Sequence, residues 1–484
     1  MGKMRNYYPD GMRMWDTWYL HLDGVTHLFH LQVRRAGGNR PDEDEGSIGH
    51  AVSEDLLDWT EMPVALHRGD PGDYDDGTLF TGCAVEEDGV IYLYYCSNHN
   101  ENGRGRQAMC LAISEDGGQT FRKYPGNPII EPDPQWYYSI SEPPPPFKHH
   151  AHPAIDCRDQ AVVKNPSGKG WLGYVVMRRK ETDAFRSSCI ALCRSNDLIH
   201  WEIGPPCFVP NRFNCFEVPD VFYLDGRWYM IALTGDGYGQ SLCWSDPGIT
   251  YATIVGVADH PEGPFSEIKD NLLLAANNNQ GFSARTVEVR GERLMLYTRS
   301  ENGLGRLSWP VKIISQPDGG LLPVYWTGCD RAFGMPKNVQ PVNIQAGSEW
   351  NSHTIEDFPT AERTFMISAK IVLNDAKSAG LAFRHTGSGI DASAYLTMFD
   401  TEKSEVVLIN LPGFIPIQHR RWEVKPYGIY NLRIIVVGEM IEVYVDDVLA
   451  LQCYDDSLAN GGVSLFARGG IAGFSDLVYR GEAL

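Results

Sequence analysis

Three acidic residues occupy equivalent places in a pattern that recurs along the chain, each at the start of a predicted β-hairpin. They are Asp16, Asp159 and Glu217. A single aspartate before a strand is often only a turn former, but three carboxylates on converging strands would repel one another and shift their pKa values, which usually marks a functional site. Two carboxylates on either side of a glycosidic bond are sufficient to hydrolyse it, and a third can stabilise an oxocarbenium-like transition state. The pattern therefore favours chemistry on a sugar.

The elements that would position these carboxylates are five β-hairpins. Each consists of an apolar strand, a tight turn and a second apolar strand, with many β-branched and aromatic residues. Asp-Gly forms the turn in three of them, which is the strongest short-range signal for a hairpin. The hairpins begin at Tyr19, Ala84, Ala161, Val221 and Val287.

A third strand follows each hairpin, and its clear copies share a serine followed two residues later by an aspartate. Clear copies begin at Gly49, Cys110 and Ala191, and looser ones at Tyr251 and Gly305. Five copies of a unit of about 60 residues predict a five-bladed β-propeller over residues 1–328. In a propeller the innermost strands line the central channel, so residues at their starts converge at one mouth. A large β-sandwich with chance similarity is the alternative.

The pattern changes after the propeller. Residues 329–348 lack strand alternation and are predicted to be a linker. From 349 to 484, short alternating strands recur at spacings of about 8–12 residues, which is typical of a β-sandwich. The sequence therefore predicts an all-β chain with two domains.

Composition excludes several classes of protein. Hydrophobic residues make up 43% of the 484 residues and charged residues 21%, as in folded proteins. The net charge of −20 repels phosphate, so neither nucleic acid nor an anionic membrane is an expected partner. We find no apolar run of membrane-spanning length and no signal-peptide pattern at the start. With eleven scattered cysteines and no Cys-x-x-Cys pair, we expect reduced, buried thiols in a cytoplasmic protein.

Two clusters raise the question of a metal. His149, His150 and His152 lie in a proline-rich stretch that is predicted to be a loop, and the acidic run from Asp42 to Glu45 lacks the spacing of a calcium loop. Neither a metal site nor a cofactor is predicted.

Several segments together resemble glycoside hydrolase family 32, whose members cleave fructans and sucrose and join a five-bladed propeller to a β-sandwich. The segment from Trp15, WDTWYLHLDGVTHLFHLQ, is similar to the family's W-M-N-D-P-N-G motif and the Y-H-L-F-Y-Q that follows it. GHAVSEDLLDW, FTGCAV, CRDQAVV and CFEVPDVF resemble G-H-A-x-S-x-D-L-x-H-W, F-S-G-S-A-V, F-R-D-P-x-V and W-E-C-P-D-x-F. The similarity covers nearly the whole chain, and its order and spacing are specific.

The resemblance implies a role for each carboxylate in a retaining mechanism. Asp16 matches the nucleophile, Glu217 the acid/base and Asp159 the residue that stabilises the transition state, while Arg158 matches a substrate-binding residue. Glu217 would protonate the leaving oxygen and then activate water. Its pKa is expected to be raised by the neighbouring carboxylates.

The resemblance also implies a sugar pocket that differs from the family's pattern. Gln32, Phe80 and Thr81 match positions that line it, and Trp15 and Trp18 would add bulk beside the sugar. The family's N-D-P-N-G is W-D-T-W-Y here, so the Asn before the nucleophile and the Pro-Asn-Gly after it are absent. The expected substrate is a short fructose-containing oligosaccharide, with another furanoside, a substituted sugar, or transfer instead of hydrolysis left open.

Two other functions remain open at this point. One is an inverting furanosidase or xylosidase like the related family 43 propellers, in which Asp16 would be a general base acting through water. The other is a catalytically inactive carbohydrate-binding propeller, favoured by the altered motif around Asp16. The sequence does not decide whether the protein forms a homo-oligomer.

Overall fold

The chain forms two compact units, Met1–Leu321 and Leu322–Leu484. The computed structural model describes residues 4–5, 7–34, 46–101, 104–139, 156–180, 186–235, 251–275, 281–299, 305–355, 362–387 and 389–483. Within these ranges the regular structure is β-strand, apart from the 3-10 helix Thr327–Ala332. None of the helical structure described is long and apolar enough to cross a membrane.

The first unit contains five successive groups of antiparallel strands, here called blades 1 to 5, of which the first four are separate sheets. Blade 1 has the strands Met4–Arg5, Met12–Leu22, Val25–Arg34, Ser47–Ser53 and Asp58–Glu61. Blade 2 has Thr78–Phe80, Ala84–Glu87, Val90–Glu101, Arg104–Ser114 and Arg122–Lys123. Blade 3 has Cys157–Lys164, Trp171–Arg178, Ser188–Ser195 and Glu202–Phe208. Blade 4 has Glu217–Leu224, Arg227–Gly235, Tyr251–Ala258 and Ser266–Ala275. Blade 5 has Gly281–Val289, Glu292–Arg299 and Val311–Ser315. The next strand, Leu321–Tyr325, spans the division between the units.

The innermost strands of the blades form a closed ring. They are Met12–Leu22, Ala84–Glu87, Cys157–Lys164, Glu217–Leu224 and Gly281–Val289. Each contacts the innermost strand of the next blade, and the last contacts the first. This closure makes the unit a five-bladed β-propeller and confirms the predicted fold class.

The hairpin turns form where the sequence predicts them. Two-residue turns connect Leu22 to Val25, Glu87 to Val90, Leu224 to Arg227 and Val289 to Glu292. Both residues of each turn have positive φ, as at Asp23 (51°) and Gly24 (82°). This type I′ geometry matches the right-handed twist of the strands, which is why Asp-Gly predicts it so well.

The repeated serine and aspartate of the third strands build turns and are not part of a site. Ser53 donates to Asp55 Oδ1 at 3.0 Å, and Ser195 donates to Asp197 Oδ1 at 3.1 Å. The same serine hydroxyls accept from the backbone N–H of Leu56 and Leu198. These local bonds end the strand and start the turn to the outer one.

The apolar core of the propeller lies between neighbouring blades. One cluster joins Trp18 and Phe29 of blade 1 to Leu93 and Tyr95 of blade 2. Similar clusters join blade 2 to blade 3 and blade 3 to blade 4. Blades 2 and 3 are therefore packed against a neighbour on both faces, which holds their innermost strands in place.

The second unit is a β-sandwich, as predicted. Its strands are Lys337–Val339, Val342–Ile355, Thr364–Val372, Ser378–Thr386, Ser393–Asp400, Glu405–Leu411, Ile415–Arg421, Ile429–Val437, Met440–Val445, Val448–Tyr454 and Gly462–Gly481. The last strand serves both sheets, since its first half pairs with Ser378–Thr386 and its second half with Thr364–Val372. Gly469 (φ 71°) and Gly470 (φ 152°) lie between the two halves, where the strand changes sheet.

The linker predicted at residues 329–348 is wrong in part. The strand Lys337–Val339 and the start of Val342–Ile355 lie within it, and both pair with Gly462–Gly481. The strand Val342–Ile355 is largely exposed. It therefore lacks the apolar alternation that sequence analysis uses to recognise a strand.

Candidate active site

A break in the strand pairing occurs at the same level of four innermost strands. The register shifts between Trp15 and Thr17, Arg158 and Ala161, Glu217 and Asp220, and Phe282 and Arg285. A non-glycine residue with positive φ lies at each shift: Asp16 (32°), Asp159 (55°), Val218 (44°) and Ser283 (52°). Such β-bulges bend a strand and re-aim a side chain, and they occur preferentially at functional sites.

Asp16 is held by hydroxyl groups from the blades on either side of it. Thr81 of blade 2 donates to Asp16 Oδ2 at 2.5 Å, and Ser283 of blade 5 donates to Asp16 Oδ1. Burial raises the pKa of Asp16, while these two hydrogen bonds and the positive charges of Arg285 and Arg158 act in the opposite direction. Burial has the larger effect, so the pKa of Asp16 is raised overall, and the two hydrogen bonds fix the orientation of the carboxyl group.

Asp159 is the most deeply buried of the three predicted carboxylates, with 3% of its surface exposed. Its Oδ2 accepts from the backbone N–H of Val218 at 3.0 Å and lies 3.5 Å from Arg158 Nε. Burial raises its pKa to about 6, Arg158 opposes the shift, and the charge of Asp16 adds to it. This dependence on Asp16 shows that the two carboxyls belong to one electrostatic system.

Arg158 connects the carboxylates of blades 3 and 4. Its guanidinium lies 2.7 Å from Asp156 Oδ1 and 3.9 Å from Glu217 Oε1, and it donates to the carbonyl of Phe216 at 2.9 Å. The other oxygen of Asp156 lies 2.7 Å from Arg178 Nε, so Asp156 is buried between two arginines. The Glu217 side chain is 25% exposed and is therefore in contact with solvent.

The structure adds residues that the sequence analysis missed. Ser283 and Arg285 lie on the innermost strand of blade 5, and Asp156 and Arg178 support Arg158 from blade 3. The fifth copy of the repeat could have revealed Ser283, because this residue occupies the same place before its hairpin as Asp16 and Asp159 do before theirs. Nothing in the sequence singles out Asp156 or Arg178.

The predicted substrate-binding residues divide into two groups. Thr81 contacts Asp16 directly, and Arg158 lies beside Asp159 and Glu217. Trp15 and Phe80 are partly exposed, and their contact with a sugar stays a prediction.

The prediction for Trp18 needs correction. Trp18 is 1% exposed and stacks on Phe29 with ring centroids 6.2 Å apart, so it is a core residue between blades 1 and 2. The bulge at Asp16 turns neighbouring side chains to different faces, which sequence proximity alone does not reveal. Gln32 is 1% exposed, and its amide donates to Ser47 Oγ at 3.0 Å within blade 1. Its contact with a sugar stays a prediction.

The part of the chain that the structure describes contains no group of three or more His, Cys, Asp or Glu side chains able to hold a metal ion. His149, His150, His152 and the run from Asp42 to Glu45 lie outside the described residues. The ten cysteines described are free and buried, as predicted.

Comparison with known proteins now identifies the family. Residues 18–267 match the glycosyl hydrolases family 32 N-terminal domain. This match covers more than half of the chain, which therefore belongs to glycoside hydrolase family 32. The match begins at Trp18, two residues after Asp16.

The relatives and structural neighbours extend the similarity to both units. A levanase from Bacillus sp. (strain L7) is 27% identical over 93% of this chain and 48% of the levanase, so the chain spans about half the length of that relative. A sucrose-6-phosphate hydrolase from Zymomonas mobilis is 24% identical over 74% of this chain and 68% of its own length. Among solved structures, fructan 1-exohydrolase IIa from Cichorium intybus has a TM-score of 0.72 at 16% identity, covering 99% of this chain and 97% of the neighbour. This structural likeness shows a shared fold.

Proposed function

We propose that this chain is a retaining β-fructofuranosidase that hydrolyses or transfers β-fructofuranosyl residues of short fructose-containing oligosaccharides. The observation that carries the proposal is the delivery of Asp16 and Asp159 by equivalent β-bulges, with Arg158 pairing to both Asp159 and Glu217. The names of the relatives, a levanase and a sucrose-6-phosphate hydrolase, support a fructosyl substrate.

Asp16 is assigned as the nucleophile. One of its oxygens forms a bond to the anomeric carbon of fructose while the glycosidic oxygen leaves. The reaction requires an ionised and oriented carboxylate. The hydroxyls of Thr81 and Ser283 orient it by donating hydrogen bonds to its two oxygens, and the same bonds oppose the rise in pKa that burial causes. These donors favour the charged form over the neutral acid.

Glu217 is assigned as the acid/base. It gives its proton to the leaving oxygen and then takes one from the water that hydrolyses the fructosyl ester on Asp16. Its partial exposure allows the proton to exchange with solvent between turnovers. Arg158, at 3.9 Å, stabilises the carboxylate that remains after the first step.

Asp159 is assigned as the residue that stabilises the transition state. A buried carboxylate beside the sugar strengthens its hydrogen bonds to hydroxyl groups as positive charge develops on the ring. The Val218 N–H and Arg158 hold one oxygen, which fixes the direction in which the carboxyl faces.

The proposal is tested by a product assay with sucrose, kestose, inulin, levan and nitrophenyl arabinofuranoside and xyloside. We expect release of fructose by the wild type and a loss of at least about 10³-fold in E217Q and D16N. E262Q is the matched control, since Glu262 of blade 4 pairs with Arg194 on the outside of the ring. Its activity should equal that of the wild type.

Other outcomes would redirect the assignment. Release of a pentose alone would favour an inverting furanosidase or xylosidase. Binding of sugars without turnover, and with no difference between the wild type and E217Q, would favour an inactive carbohydrate-binding propeller.

Location and assembly belong to the same proposal. We infer a cytoplasmic enzyme, and the free, buried cysteines among the described residues support a reducing compartment. Cell fractionation and size-exclusion chromatography with light scattering measure location and oligomeric state directly.

A further inference from the structure

Asp156 is a buried carboxylate beside the candidate site, and the proposed chemistry has not used it. It directly precedes the innermost strand of blade 3 and is 2% exposed. The next residue, Cys157, pairs with Met177 of the neighbouring strand, so the same register places Asp156 opposite Arg178. The hairpin therefore brings a carboxylate and an arginine together next to the bulge of Asp159.

Two arginines share the oxygens of Asp156. Arg158 Nη1 lies 2.7 Å from Oδ1, and Arg178 Nε lies 2.7 Å from Oδ2. Arg178 is fully buried and also donates to Asn214 Oδ1 at 3.0 Å, which fixes its own position. Ion pairs at such distances are strong where water is excluded. Asp156 thus lies closer to the Arg158 guanidinium than either carboxylate of the proposed chemistry that pairs with it.

The position of Arg158 leaves a gap to the proposed acid/base. Its Nη2 is 3.9 Å from Glu217 Oε1, and its Nε is 3.5 Å from Asp159 Oδ2, whereas a direct charge-assisted hydrogen bond spans about 2.8 Å. A cation in direct contact would favour the carboxylate form of Glu217 over the acid. An acid catalyst has to hold its proton before it can give it to the leaving oxygen, so the proposed chemistry needs this gap.

We propose that Asp156 is a positioning residue that acts through Arg158, holding the guanidinium back from Glu217 so that the acid/base keeps its proton until the leaving oxygen takes it. The inference rests on the proposed function for its catalytic meaning. The control of Arg158 by Asp156 depends only on their contact and is measurable without a substrate.

Glu217 also has other charged and titratable groups around it. The innermost strands of blades 3 and 5 both contact the strand that carries it. These groups are Arg158 and Asp159 of blade 3, Arg285 of blade 5, Asp16 of blade 1, and Cys215 and Asp220 beside it on the chain. All of them are retained when Asp156 alone is replaced, so a change in the pH profile reports on Asp156 and on the position of Arg158.

The kinetic test compares D156N with D75N. Asp75 is the matched control because it is also a buried carboxylate in an ion pair, 2.6 Å from Lys123 Nζ. In D156N, Arg158 is free to move toward Asp159 and Glu217, so both limbs of the kcat/KM profile for fructose release should move to lower pH by about one unit. D75N should keep the limbs of the wild type, since a loss of stability lowers the height of a profile without moving its limbs.

A second test needs no turnover and separates the inference from the proposed function. Crystal structures of the wild type and D156N, both without sugar, give the position of Arg158 directly. We expect the distance from Arg158 Nη2 to Glu217 Oε1 to shorten from 3.9 Å in the wild type to about 3 Å in D156N. If D156N does not fold, D156N/R178M replaces it in both tests, because this variant removes one buried charge of each sign.

The inference is overturned if the limbs of the profile stay in place, or if the distance between Arg158 and Glu217 does not shorten. If the wild type turns over no sugar while the distance shortens, the proposed function fails and the control of Arg158 by Asp156 stands.

Discussion

Asp16 depends on two neutral donors, and this dependence gives a prediction at the level of single residues. Removing either hydroxyl, in T81V or S283A, should raise the pKa of Asp16 and lower kcat by about 10- to 100-fold, the usual value of a hydrogen bond to a charged group. T286V is the matched control because Thr286 donates to Asp220 at 2.6 Å in the same way. Steady-state kinetics on sucrose or kestose measures the effect. Equal kcat values in T81V and T286V would show that the hydrogen bonds to Asp16 are structural only.

Asp159 gives a second prediction at this scale, concerning pH. Its pKa is raised to about 6 by burial, so it loses its charge as the pH falls through that value. If it stabilises the transition state as a carboxylate, kcat/KM should fall below about pH 6, about tenfold per pH unit. A pH–rate profile measures this limb. A profile that stays flat down to pH 4.5 would contradict the role given to a charged Asp159.

At the level of secondary structure, β-bulges position the carboxylates of the site, and the sequence predicts the strands but not the bulges. The hairpins and the blades were predictable because Asp-Gly turns and strand patterns are local signals. The bulges themselves depend on contacts between blades, such as the one from Val218 N–H to Asp159. For that reason the sequence pattern predicts Trp18 in the pocket, although it lies in the core, and does not reveal the role of Ser283 on the fifth copy of the same strand.

Blade 1 also contains an element that should make the fold sensitive to acid. His50 stacks on Phe29 with ring centroids 4.7 Å apart, and its Nε2 lies 3.0 Å from His27 Nδ1. Burial, with the nearby His27 and His30, lowers its pKa to about 3. Between pH 6.5, the ordinary value for histidine, and about 3, the unfolded chain therefore binds a proton that the native His50 does not. Stability must fall as the pH falls through this window.

The size of this effect can be measured by denaturant unfolding between pH 4.5 and 7.5. His50 should contribute up to about 1.4 kcal/mol per pH unit to the slope of unfolding free energy, and H50N should remove that part. H200N is the control, since His200 is exposed and paired with Asp197. A slope that is the same in H50N and the wild type would mean that His50 takes up a proton in the native state.

At the scale of the whole molecule, the sequence predicts both units but misplaces the boundary between them. The predicted domains were 1–328 and 349–484, and the structure divides the chain between Leu321 and Leu322. The sandwich begins earlier than predicted because its exposed first strands have little apolar content. The family fold was recognisable from the order of several weak motifs, whereas the substrate was not, because the residues around Asp16 depart from the family's pattern.

The central claim is that Asp16 forms a covalent bond to fructose, and rapid acid quenching followed by peptide mass spectrometry tests it most directly. The wild type is mixed with kestose, quenched during turnover and digested. We expect a hexosyl group on the peptide that contains Asp16, and none in D16N. Release of fructose without such an adduct, or with the adduct on a different residue, would contradict the assignment of Asp16 as the nucleophile of a retaining enzyme.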